Sequence, residues 1–190
     1  MLEINFTPFP VLETERLILR QLTDDDAADM FVMRSDKEVM KYIPRPLAQT
    51  TDDVLKLIRL MNENIDKNEM INWAIVPKEQ PVVMGTIGYV NVSKEDYRAE
   101  VGYLLHPGMQ GRGYMHEALK AVLDYGFNEM KLHSVNAIID PDNTASERLL
   151  QRYGFVKEAH FKEDLFYNGR FLDSVHYGIL ESTYAARQQQ

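Results

Sequence analysis

The chain has 190 residues, a length that fits one domain, and its hydrophobic (45%) and charged (26%) fractions are those of a globular protein. It contains no cysteine, which excludes disulfides, thiolate metal sites and a cysteine nucleophile. A formal net charge of −8 argues against general nucleic-acid binding; no apolar run approaches a membrane span, and the N-terminus lacks the basic and apolar regions of a signal peptide, so the default location is cytoplasmic.

Residues 1–13 form a short, apolar, proline-containing extension. Arg16 to Leu22 reads as a first strand with Leu17, Leu19 and Leu22 inward. Thr23 followed by Asp24, Asp25 and Asp26 reads as a helix start, a capping hydroxyl with acids set against the helix dipole, and the helix runs to about Asp36. Pro44 and Pro46 disfavour helix at the residue before each, so Tyr42 to Pro46 is non-helical. A second helix begins at Thr50 or Thr51, with Val54, Leu55, Ile58 and Met61 as its apolar stripe. Asn72 to Val76 and Val82 to Val92 read as antiparallel strands joined by a polar turn. Ala99, Val101, Tyr103 and Leu105 then alternate with Glu100, Gly102, Leu104 and His106, which predicts a strand with two distinct faces. Met115, Ala118, Leu119, Val122, Gly126 and Met130 recur at helical spacing. Ser134 to Ile139 is a β-branched strand, and Asp140 to Asn143 turns into a short helix. Phe155 to Phe161 and Ser174 to Leu180 are the last strands, with Asn168-Gly169 as a hairpin turn. Residues 181–190 are a tail, and its glutamines at 188–190 are expected to fray. The order predicts an α/β single domain over residues 1–190, with a mixed, mostly antiparallel sheet of about seven strands flanked by about four helices.

One stretch, Leu104 to Met115, organises the rest. Gly111 and Gly113 lie between the two-faced strand and the long helix. Two nearby glycines let backbone N–H groups turn toward one point, and a helix starting there adds its positive dipole end, an arrangement that binds phosphate. A plain strand-to-helix turn would use the same glycines. Gly108 and Gly113 have the spacing of a nucleotide-hydrolysing phosphate loop, but Tyr114 and Met115 follow where lysine and a hydroxyl residue are required. His116 stands where a dinucleotide fingerprint needs its third glycine. A different phosphate-bearing ligand is required.

Gln110-Gly111-Arg112-Gly113 resembles the Gln/Arg-x-x-Gly-x-Gly/Ala pyrophosphate loop of the GNAT N-acetyltransferase superfamily. Thr14 to Arg20 resembles the first strand of its RimJ/RimL-type branch, the ribosomal-protein N-terminal acetyltransferases. Ser35 to Tyr42 resembles that branch's first-helix exit. Asn143 to Ser146, with Tyr153-Gly154-Phe155, resembles its last helix and the strand beyond. The match covers residues 14 to 180. The resemblance implies the GNAT fold and acetyl-CoA as co-substrate. It places Leu104, Leu105, Gln110, Gly111, Arg112, Gly113, Tyr114, Met115 and Asn143 against that molecule, and makes the first two helices and their linker one wall of an acceptor cleft. Met115 departs from the pattern, which has Gly or Ala there, so its side chain is expected to point into helix packing.

Acetyl transfer needs a neutral amine, a donor to the carbonyl oxygen and an acid or dipole for the leaving thiolate. No covalent nucleophile is needed if both substrates are held together. The resemblance makes Glu100 the base, acting directly or through water; the alternative is a strand glutamate paired with Arg98. It also places Ser146 near the thiol as a proton donor, and Leu150 stands where many relatives carry a tyrosine for that role. Asn143 or Thr144 can equally cap the short helix, with Thr144 and Glu147 as a capping box. Tyr42 and Trp73 are assigned to the acceptor cleft, although an aromatic in a strand is commonly core. His106 borders the loop, and Tyr153 is structural. The five histidines show no ligand spacing, so no metal is expected. The acceptor implied first is a protein N-terminal α-amine. A small amine (polyamine, amino acid or aminoglycoside) is the alternative, and a non-catalytic acetyl-CoA sensor is a third reading. The oligomeric state stays open, a homodimer included.

Overall fold

The computed structural model describes residues 1–188. Its elements, in chain order, are β1 (Leu12–Glu13), β2 (Leu17–Arg20), α1 (Ala27–Arg34), α2 (Thr51–Asp66), β3 (Ile71–Pro77), β4 (Gly85–Ser93), β5 (Arg98–Leu105), α3 (Tyr114–Asn128), β6 (Ser134–Ile139), α4 (Thr144–Tyr153), β7 (Val156–Tyr167), β8 (Arg170–Leu180) and α5 (Glu181–Gln188). One sheet of eight strands runs in the order β1-β2-β3-β4-β5-β6-β8-β7. Every pairing is antiparallel except β5 with β6, the two strands that α3 connects as a crossover.

The parallel pair positions the site. β5 and β6 pair only over Arg98–Glu100 against Ser134–Asn136. β5 then runs on to Leu105 paired only with β4, and β6 to Ile139 paired only with β8, so the sheet splits into two arms. On the β4 side a register shift between Tyr89 and Asn91 bends the strand beside the split.

Side-chain alternation divides the core between the two faces of the sheet. Trp73, Ile75, Ile87, Tyr89 and Val101 pack with Leu119, Val122 and Leu123 of α3. Ala74, Val76 and Leu104 face the other way, onto Met30 and Met33 of α1 and Val54 and Ile58 of α2. α3 approaches the sheet at Gly126, where a Cβ would lie 2.1 Å from the Tyr89 hydroxyl; the missing side chain lets that hydroxyl donate to the Val122 carbonyl at 2.9 Å. α2 starts with a full capping box, Thr50 Oγ1 accepting from the Asp53 N–H and Asp53 Oδ2 accepting from the Thr50 N–H. The acid run before α1 forms a 3-10 turn over Asp24–Asp26, and Asp26 folds back to take two 2.7 Å hydrogen bonds from the Arg20 guanidinium.

The element count exceeds the sequence expectation by one strand and one helix. β1 is only two residues long, too short to show alternation. α5 occupies what reads as a tail: Tyr184 is buried and its hydroxyl donates to Asp124 of α3 at 2.9 Å. Of the glutamines expected to fray, Gln188 closes α5, and Gln189 and Gln190 lie outside the described residues. The N-terminal extension is packed, with Leu2 and Phe6 buried and the Phe6 N–H donating to Asn68 Oδ1. β7 is longer than predicted and, with register shifts between Lys157 and Ala159 and between Phe161 and Leu165, reaches the Asn168-Gly169 hairpin, where both residues have positive φ.

Candidate active site

The loop ahead of α3 is built to present unpaired donors. Gly111 (φ +73°) and Gly113 (φ +80°, the N-cap of α3) both sit in the left-handed region, which turns the following amides to one side. Among the described residues, the N–H groups of Gly111 to His116 find no acceptor; the first helical bond is Glu117 N–H to the Gly113 carbonyl at 3.1 Å. A Cβ at Gly111 would meet nothing within 4 Å, so the space beside it is open. Met115 packs against the α3-side core, as its side chain was expected to. Tyr114 lies under the Arg16 guanidinium, 4.5 Å from its ring centre. Gln110 Nε2 reaches the Leu105 carbonyl at 3.4 Å. His106 closes the intervening turn by accepting from the Gly108 N–H through Nδ1.

The loop is held from outside by a brace with no sequence signal. Glu117, in the first turn of α3, accepts from the Thr14 hydroxyl, and from the Arg16 N–H and Nε at 2.7 Å each. Arg16 Nη1 also donates to the Arg112 carbonyl at 3.0 Å. Burial raises the Glu117 pKa, but these donors outweigh it and hold the carboxylate below its usual range. The residues that carry this brace are 96 to 103 positions apart, so only the fold shows it.

A cleft of about 820 Å³ opens in the split between β5 and β6 and runs under the linker from α1 to α2. Gly102, Tyr103 and Leu104 of β5 line it, with Ile139 of β6 and Asn143 and Ser146 at the start of α4. Asn143 is the N-cap of α4, its Oδ1 accepting from the Ser146 N–H at 3.1 Å. The expected Thr144–Glu147 box does not form, because Glu147 accepts instead from the Tyr177 hydroxyl at 2.7 Å. Ser146 is 8% exposed and its backbone is fixed by the cap, which leaves the side chain to face the cleft.

Three buried polar atoms lack a hydrogen-bond partner among the described residues: Arg34 Nε, Asn72 Oδ1 and the Tyr103 hydroxyl. All three residues line this cleft. Natural structures leave few such atoms unsatisfied, and their convergence marks a place made for a polar occupant. Burial pushes the Tyr103 hydroxyl up to about 12; Ser146 lies close enough to oppose part of that effect, yet no hydrogen bond of proper geometry joins the two. The sequence groups Tyr103 with Ala99, Val101 and Leu105 on one strand face, and nothing in that pattern marks its polar tip as lining the cleft.

The structure moves two of the residues named from sequence. Trp73 does not line the cleft. It is fully buried on the opposite face, its Nε1 donating to the Pro10 carbonyl at 2.7 Å and its ring set edge-on to Phe9 and Tyr125. Its neighbour Asn72 reaches the cleft instead, because successive strand residues face opposite ways. Glu100 lies not in the cleft with Ser146 but in an adjoining cavity of about 710 Å³. The two spaces share Asn64, Met70, Val90 and Ile138 as walls. The Glu100 carboxylate accepts from Asn91 Nδ2 at 2.7 Å and, among the described residues, forms no ion pair with Arg98, which lies 3.9 Å from the Asp96 carboxylate. Tyr42 stands on the cleft wall, in the linker after α1. Tyr153 ties α4 to α3, donating to the His116 carbonyl at 2.6 Å. No group of three or more potential metal-ligating side chains occurs among the described residues, and no helix there is long and apolar enough to cross a membrane.

A split sheet, a donor-rich helix start and a cleft holding unpaired polar groups fit an acyl-transferring enzyme. The acetyltransferase (GNAT) domain matches residues 16–156, and the chain belongs to that family. The uncharacterized N-acetyltransferase YoaA of Bacillus subtilis (strain 168) is 34% identical over 173 residues, covering 91% of this chain and 98% of YoaA. A spermidine N(1)-acetyltransferase of Vibrio cholerae is 26% identical over 92% of this chain and 98% of its own. Among solved structures, a GNAT-family acetyltransferase from Bacillus anthracis superposes with a TM-score of 0.81 at 30% identity, over 91% of this chain and 99% of that one. A ribosomal-protein-S5-alanine acetyltransferase from Vibrio fischeri gives 0.80 at 25% identity, over 92% and 98%. A spermidine N-acetyltransferase from Vibrio cholerae, in complex with CoA and spermine, gives 0.79 at 25%, over 90% and 99%. The chain is an N-acetyltransferase, and ribosomal-protein acetyltransferases are among its structural neighbours.

Proposed function

We propose that this single-domain enzyme moves an acetyl group from acetyl-CoA to a primary amine by direct attack, with both substrates bound together in the cleft. The observation that carries the reading is that β5, which lines the polar cleft at Gly102 to Leu104 opposite Ser146, leads from its end at Leu105 into the loop whose amides, Gly111 to His116, are unpaired. The amides would take the diphosphate; the arms of the split, with Leu104, Leu105 and Asn143, would take the pantetheine. The amine nitrogen attacks the thioester carbonyl carbon and the C–S bond breaks. The amine proton passes to Glu100; the thiolate takes a proton from the Ser146 hydroxyl, which is reprotonated from cleft water, and Glu100 returns its proton to solvent, giving an amide and free CoA. Glu100 lines the adjoining cavity, and in this proposal water carries the proton to it. A cytoplasmic location belongs to the same proposal.

The acceptor expected from sequence, a protein N-terminal α-amine, fits the Vibrio fischeri neighbour; a small amine fits the spermidine acetyltransferases. Release of free thiol from acetyl-CoA, screened over N-terminal peptides, polyamines, amino acids and aminoglycosides, separates these, and no release with any of them would favour a sensor. Glu100→Gln tests the proton path. A positioned base contributes about 10² to 10⁴ in rate. The loss should fall on the maximal rate and shrink as pH rises, since more amine is then already neutral. A wild-type rate at neutral pH would remove Glu100 from the mechanism.

A further inference from the structure

The charges on the cleft wall point to the chemistry of the acceptor. Arg34 closes α1, and its guanidinium is carried inward. Its Nε is buried without a partner, and its Nη1 has the Met40 sulfur at 3.9 Å. Arg45, from the linker, lines the same cleft. Burial, and then the Arg45 charge, lowers the Arg34 pKa. Neither arginine has a carboxylate within 4 Å among the described residues.

The acids nearby are already engaged. Asp53 is the one carboxylate in the cleft lining, and its Oδ2 accepts the Gln49 and Thr50 N–H groups as part of the α2 cap. A smaller cavity of about 270 Å³ adjoins the mouth, shares Tyr42 to Arg45 and adds Lys37, Lys41 and Arg170. Of its two acids, Asp173 is held by Lys162 and His160, and Asp140 accepts the Asp142 N–H in its own turn. A guanidinium taken out of water without a counter-charge is unfavourable, and an anion bound in the plane of its N–H groups reverses that.

We propose that the acceptor amine carries an anionic group, a carboxylate or a phosphate, which Arg34 and Arg45 clamp while the amine faces Tyr103 and Ser146. Asn72 Oδ1, buried without a donor in the same cleft, takes one of the amine protons in hydrogen bond. This reading disfavours polyamines, which would bring a second ammonium toward two guanidiniums. It favours amino acids, aminoalkyl phosphates, or peptides whose second residue is acidic.

The inference rests on the cleft being the acceptor site, so the test separates the two. Thiol release from acetyl-CoA is measured with amino acids, their amides, 2-aminoethyl phosphate, spermidine, and peptides beginning Ser-Asp or Ser-Asn. The anionic member of a matched pair should have kcat/KM about 10- to 100-fold higher, the range of a charge-assisted hydrogen bond. Arg34→Met, and the exposed Arg45→Met should the first fail to fold, should remove that preference by raising KM for the anionic member of each pair. Amides or spermidine used as well as the acids by the wild-type enzyme would overturn the clamp, as would a preference surviving both substitutions. Leu60→Trp, at an exposed position on the cleft wall, narrows the entrance. If it slows every acceptor while no anion preference exists, the cleft is the acceptor site and the clamp is wrong. If it slows none, the cleft is not the acceptor site and both readings fall.

Discussion

Gly111 offers the sharpest test of the diphosphate loop, because charge can be varied there with little else. Its φ of +73° suits glycine, but asparagine and aspartate tolerate the left-handed region better than other side chains, and a Cβ there would meet nothing within 4 Å. Gly111→Asn and Gly111→Asp therefore carry nearly the same backbone strain, about 1 kcal/mol, which cancels when the two are compared. They differ by one negative charge beside the proposed diphosphate. Two like charges about 4 Å apart repel by about 1 kcal/mol in water and about 4 kcal/mol near a protein surface. A middle value of about 2 kcal/mol weakens binding by about 30-fold. Calorimetric titration with CoA should show this gap between the two variants at about 0.05 M salt. Raising the salt to about 1 M shortens the screening length to about 3 Å and should close most of it. Equal affinities for CoA in folded Asn and Asp variants would refute the assignment of these amides to the diphosphate.

Three further outcomes follow from the site and its supports. Tyr103→Phe removes a buried hydroxyl that has no partner, so thermal stability should hold or rise while turnover falls; a loss of melting temperature with unchanged rate would make Tyr103 structural. Ser146→Ala keeps the backbone N–H that Asn143 caps, so CoA affinity and fold should persist while the maximal rate drops, and an unchanged rate would leave Ser146 only its place in the cap. Asp26→Asn breaks the bidentate pair with Arg20 and should destabilise the protein by about 2 kcal/mol, or about 5 °C in melting temperature. Burial raises the Asp26 pKa, but the Arg20 and Thr23 donors prevail and hold it below the ordinary carboxylate value. Its contribution is therefore present above about pH 4 and is lost as pH falls through the folded-state pKa, so the gap between wild type and variant should close in acid.

The parts of the site legible in the sequence are those fixed by local backbone geometry. Gly111 and Gly113 could be read because a left-handed turn before a helix must be written within a few residues, and Asn143 because a cap acts over three. α2 and α3 showed their apolar stripes because each buries one face. Trp73 was misplaced for the converse reason. Residues 71–76 are buried on both faces of the sheet, so alternation does not say which side holds the cleft. α5 was missed because its packing rests on one buried side chain, Tyr184.

Arg34 shows what a sequence hides most completely. Glu38 lies four residues on, and on a continuing helix it would be a natural partner. α1 instead ends at Arg34, and the Asp36 carboxylate takes the N–H groups of Glu38 and Val39 to form the next turn. That turn leaves Glu38 exposed and Arg34 without its expected counter-charge. The unpaired guanidinium thus results from where one helix stops, and its burial from where the sheet opens. Neither feature is written in the residue itself. The same opening leaves the Tyr103 hydroxyl of β5 without a partner, and Asn72 of β3 lines the resulting cleft. The catalytic and the recognition chemistry proposed for this enzyme therefore share a single structural cause, the early parting of β5 from β6 after Glu100 and Asn136.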